Sequence, residues 1–180
     1  MRKIMLNKIS NFQRGFTLIE IIVVIGILGI LSVFLIQTIN PYEQYLKAQD
    51  SRRKSDLSQM QKALEAYYAD NGRYPSSRSA GTPIYKFVTS DTLDPIKDWG
   101  ETWTPYMQII PKEIGSRSYL YVSDTNDQSY WLYTSLQRGA RDPQVCNVGL
   151  ACSNVPSDVL CGSQTTDVCN YGVSSTNVSP

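Results

Sequence analysis

From Phe16 to Ile39 the chain is almost wholly apolar, and Glu20 is its only charged residue there. At about 1.5 Å per residue, such a run reaches roughly 36 Å as a helix, enough to cross ~30 Å of hydrocarbon. A core helix carries one apolar stripe, whereas this run is apolar all round. The pattern predicts a membrane-spanning helix over residues 16–40. Beyond Pro41 the pattern changes. Leu46, Leu57, Met60, Ala63, Leu64 and Tyr67 recur at three- to four-residue steps with charges between them, which predicts an amphipathic helical segment over residues 41–75. Asp70-Asn71-Gly72 supplies its C-cap and Pro75 blocks continuation. Read together, the two segments predict one helix from Phe16 to Asp70, roughly 80 Å if unbroken. Pro41 is expected to kink it, because proline lacks an N–H donor and biases Asn40 away from the helical region. Its first half has no partner inside one small domain, which points to assembly.

Residues 76–117 are rich in Pro, Ser, Thr and Gly and read as a long structured loop. Ser118–Ser123 and Tyr130–Leu136 are β-branched and aromatic and predict strands, joined by a hairpin turn at Asp124-Thr125-Asn126-Asp127. A third strand is expected near Tyr106–Ile110. The fold class that follows is α+β, a long N-terminal helix packed on a small antiparallel sheet within a head spanning 76–180. The strand tyrosines read as cross-strand packing rather than a sugar-binding platform.

Charge adds an asymmetry. Net charge is +1, yet Arg2, Lys3, Lys8 and Arg14 precede the apolar run with no acid among them, and residues 143–180 contain no Lys or Arg. Leader cations of this kind favour a cytoplasmic N-terminus. So balanced a total does not describe a general nucleic-acid binder. Histidine is absent, which removes the commonest general base and metal ligand. No Gly-rich phosphate loop is present, so no catalytic residue and no enzyme activity is predicted. The charged run Asp50–Asp56 reads as a solvated helix face.

The stretch Arg14-Gly15-Phe16-Thr17-Leu18-Ile19-Glu20, followed by the apolar run, resembles the class III signal of type IV pilins and type II secretion pseudopilins. Ala66–Pro75 resembles the helix end of those proteins, and Asp94-Pro95, Asp98-Trp99-Gly100 and Pro105-Tyr106 resemble a spread-out Asp-Pro-Trp-Gly-x-Pro-Tyr pattern of the major pseudopilin. The resemblance implies that a prepilin peptidase cuts between Gly15 and Phe16, removing residues 1–15 as a leader, and N-methylates Phe16. It implies that Glu20 of one subunit meets the Phe16 amine of another during filament assembly. The expected partners are that peptidase, the membrane before assembly, further copies of the chain and an assembly machinery. The expected place is a single-pass membrane protein that later joins an extracellular or cell-surface filament. The first functional expectation is a subunit of a type IV pilus-like filament. The alternatives are a pseudopilin of a type II secretion system and a membrane-tethered receptor or enzyme domain.

Export permits disulfides among Cys146, Cys152, Cys161 and Cys169, and the even count fits two. Three pairings are open; short-loop entropy favours Cys146–Cys152 with Cys161–Cys169. Zinc is the rival use of these thiols, with no C-x-x-C pair and no histidine to support it. No metal site or cofactor is expected from the residues. Asp124, Asn126 and Asp127 are oxygen donors of the kind calcium takes, though turns favour the same residues. The resemblance also implies calcium in a C-terminal loop, without a residue-by-residue match here.

Overall fold

The computed structural model describes residues 15–79, 82–88, 96–113 and 115–180. The expected leader before Gly15 and the Asp94-Pro95 pair lie outside the described residues. The chain divides into two units, one ending at Gln44 and a compact head from Tyr45 to Pro180.

Helix α1 spans Leu18–Ile39 and α2 spans Pro41–Asn71. The expected single helix is therefore two. Asn40 takes a left-handed conformation (φ 44°) and ends α1. The residue before proline avoids the right-handed helical region, and Asn tolerates the left-handed one. Pro41 then opens α2 at the position where a missing N–H costs nothing. The Asn40 side-chain oxygen accepts from the Glu43 amide at 3.4 Å, capping the new helix. α2 closes as its sequence predicts: the Gly72 amide donates to the Tyr68 carbonyl at 2.8 Å, with Gly72 at φ 69°.

Among the described residues, the head holds two three-stranded antiparallel sheets. One is β1 (Ser76–Ser79), β2 (Thr82–Val88) and β3 (Ile96–Lys97). The other is β4 (Leu120–Ser123), β5 (Tyr130–Thr134) and β6 (Tyr171–Ser174), in that order. Three pieces of the expected 76–117 loop are thus strands of a sheet. The expected strand at Tyr106–Ile110 is only a bridge between Trp103 and Met107, in a short segment closed at both ends by proline, Pro105 and Pro111. The third strand of the second sheet comes instead from the tail. β1 reaches β4 through reciprocal bonds: the Ser77 amide donates to Ser123 Oγ at 2.8 Å and the Ser123 amide to Ser77 Oγ at 2.9 Å.

The β4–β5–β6 sheet is covered on both faces. Alternate strand residues point to opposite sides. Tyr119, Tyr121, Tyr130 and Leu132 cluster with Leu57, Met60, Leu64 and Tyr67 of α2. Leu120 and Tyr133 cluster with Cys152, Cys161 and Cys169 of the tail. Full burial of a Leu or Met side chain is worth about 1.5–3 kcal/mol, so Leu57, Met60 and Leu64 form the main anchor of α2.

Candidate functional site

At the start of α1, Thr17 is the N-cap and Glu20 the third helical residue, and together they form a reciprocal capping box. The Thr17 hydroxyl accepts from the Glu20 amide at 3.3 Å. Glu20 Oε2 accepts from the Thr17 amide and from the Thr17 hydroxyl, each at 2.8 Å. The lone acid of the apolar run is thus satisfied inside its own chain, one turn from Phe16. Gly15 and Phe16 precede the helix, and the Phe16 side chain is exposed. The stretch Leu18–Leu35 is long and apolar enough to cross a membrane, and none of it is buried in the chain's own fold. A face of this size on an isolated chain calls for lipid or another protein to cover it. Gly26 and Gly29 have open space around them, and Ser32 bonds back to the Leu28 carbonyl at 2.7 Å.

In the head, the four cysteines form Cys146–Cys152 and Cys161–Cys169, leaving no thiol for zinc. The two loops are tied to each other, because the Cys152 amide donates to the Cys169 carbonyl at 2.9 Å. The buried Asp167 fastens the second loop by accepting from Arg117 at 3.1 Å. The Asp124–Asp127 segment is the turn between β4 and β5: Asp124 Oδ1 accepts from the amides of Gln128 and Ser129, at 2.7 and 3.1 Å.

The charged run Asp50–Asp56 is not a solvated face. Asp50 and Arg53 are buried. Arg53 bridges Asp50 and Glu113, each at 2.9 Å. Lys54 Nζ reaches both carboxylate oxygens of Asp142 at 2.7 Å. Asp56 accepts from the Tyr119 hydroxyl at 2.6 Å. Burial pushes the Asp142 carboxyl up, but the Lys54 ammonium, the Gln144 amide and Arg138 outweigh it and hold it below the ordinary carboxylate range. This ionic collar joins α2 to the loops of the head. Sequence reasoning missed it, because its partners lie 60 to 88 positions away.

Two family models match the chain. The prokaryotic N-terminal methylation motif covers residues 10–36, and the family described as type II secretion system (T2SS), protein G covers residues 40–144. The chain is 39% identical over 83 residues to a type II secretion system core protein G of Pectobacterium carotovorum subsp. carotovorum, spanning 46% of this chain and 50% of that protein. It is 28% identical over 141 residues to a protein of the same name from Escherichia coli (strain K12), spanning 77% of this chain and 93% of that one. No solved structure matches. The exposed apolar helix with its acid-bearing cap, the collar-bound head and these two matches agree: the chain belongs to the type II secretion system protein G family.

Proposed function

We propose that the chain is a pseudopilin of a type II secretion system, a structural rather than catalytic subunit. It is held in the membrane by residues 16–40, cut between Gly15 and Phe16, N-methylated at Phe16 and polymerised with its own copies through α1. The observation that carries this reading is the succession of the methylation motif over residues 10–36 and the protein G match over residues 40–144. The match favours a secretion filament over the type IV pilus subunit that the N-terminal motif alone would equally suit.

Glu20 gives the assembly its register. The cut frees an amine on Phe16, a cation beside a helix N-terminus, where the dipole disfavours it. A buried ion left unpaired is strongly unfavourable, whereas a paired one is tolerated. Glu20 of one subunit placed against the Phe16 amine of another offsets both charges and penalises a wrong axial stagger. In the lone chain, Thr17 holds that carboxylate, so assembly exchanges one set of partners for another.

The test is deletion of the gene, with the secreted proteins and the surface fibres scored separately. Loss of secretion with fibres intact is the expected outcome. Loss of surface fibres with secretion intact would return the pilus reading.

A further inference from the structure

We propose that the loop after β5 is closed by a side-chain cation, Lys54, and not by a calcium ion of the kind that the resemblance implies for a C-terminal loop. The donor set decides this. Calcium takes six to eight oxygens at about 2.3–2.6 Å. The carboxylate of this loop, Asp142, is already spent on N–H donors: Lys54 Nζ lies 2.7 Å from each of its oxygens and the Gln144 amide 3.0 Å from Oδ1. Arg138 Nη1 stands 4.0 Å from Oδ2. Lys54 also donates to Gln144 Oε1 at 2.8 Å and sits 5.3 Å from the centre of the Tyr171 ring. The ammonium thus has two carboxylate oxygens, an amide oxygen and an aromatic face beside it, one acceptor for each of its three N–H bonds.

The rest of the loop is held by other side chains of the protein. Asp50 accepts the amides of Gln137 and Arg138 at 2.8 and 3.0 Å. The Asn170 side chain accepts from the Leu136 amide at 2.7 Å and donates to the Leu136 carbonyl at 3.2 Å. Among the described residues, no three Asp, Glu, His or Cys side chains are grouped so that they could hold a metal ion. The β4–β5 turn repeats the device independently. Arg78 spans the Ser123 carbonyl at 3.2 Å, the Asp124 carbonyl at 2.7 Å and Asp127 Oδ1 at 3.5 Å. Two carbonyls and a carboxylate that would suit a hard cation instead hold a guanidinium.

The resident cation is covalently part of the chain, so the head keeps its loops at any calcium level. This does not depend on the secretion reading, since it concerns the unassembled chain. The experiment is thermal unfolding of the full chain in detergent, with EDTA and then with millimolar calcium. An unchanged melting temperature is expected; a rise with calcium, or a fall with EDTA, would overturn the proposal. A cycle of Lys54→Met, Asp142→Asn and the double variant is the second arm. Lys54→Met should lower the melting temperature by several degrees in the native background and by clearly less in the Asp142→Asn background. Equal losses in both backgrounds would show that Lys54 does not serve Asp142 and would likewise overturn it. The calcium comparison on the native chain decides the matter even where a variant fails to fold.

Discussion

The Asp50 carboxylate and the Arg53 guanidinium meet at 2.9 Å one turn apart on α2, with relative exposures of 1% and 3%. Asp50 also accepts two backbone amides from the loop after β5, and Arg53 also binds Glu113. Breaking a buried pair by removing one partner costs about 3–5 kcal/mol, because the other charge stays buried without it. Asp50→Ala is expected to destabilise the head by an amount in that range. Arg53→Ala should cost a similar amount, and the double variant less than the sum. Urea unfolding of the three variants measures this.

The two disulfides should not be equivalent. Closing loops of this length constrains the unfolded chain by about 2–3 kcal/mol each. Cys161 and Cys169 are also fully buried against Tyr133, whereas Cys146 is only partly buried. Replacing Cys161 and Cys169 by serine adds two polar groups to that core. That pair is expected to lower the unfolding midpoint more than serine at Cys146 and Cys152. Denaturant unfolding of the two double variants compares them.

Acid should loosen the collar at Asp142. Its folded carboxyl is held below the ordinary carboxylate range, so it binds its proton less readily than in the unfolded chain. The stabilisation is present above the unfolded value, about 3.9, and is lost as pH falls through the folded value. Asp142→Asn, compared with the native chain by melting temperature across that window, should show a shallower decline.

Alkali should reveal a set of head tyrosines that resist ionisation. Burial pushes the hydroxyls of Tyr119, Tyr121, Tyr130 and Tyr133 well up, and the carboxylates of Asp56 and Glu65 reinforce this at Tyr119 and Tyr130. These groups favour the fold while protonated, and that contribution falls away once pH passes the unfolded value near ~10. The phenolate absorbance of these four is expected to rise only as the head unfolds, in step with the loss of its folded circular dichroism.

Elements written in one-dimensional periodicity could be read directly. The uniform apolarity of α1, the stripe of Leu57, Met60 and Leu64, and the alternation in β4 and β5 are local signals. β6 was hidden because Tyr171–Ser174 is short and holds a glycine. Gly172 is needed there, since a Cβ would come within 2.6 Å of the Tyr133 ring. β1 was hidden because its serines read as loop, and its join to β4 is an exchange of hydroxyls across 46 positions. Asp50 and Arg53 looked solvated because no local pattern announces that amides 87 positions downstream will reach Asp50. The start of α1 shows the same limit: Thr17 and Glu20 have capping-box spacing, yet the charge of Glu20 is the louder signal and masks its nearest partner.

The central claim is that the apolar helix is a joining surface made ready by a cut before Phe16. Intact-mass measurement with N-terminal sequencing, on the native protein recovered from cell envelopes, tests this most directly. The account predicts a chain that begins at Phe16 and carries one added methyl group on its amine. A chain that still begins at Met1 would contradict it.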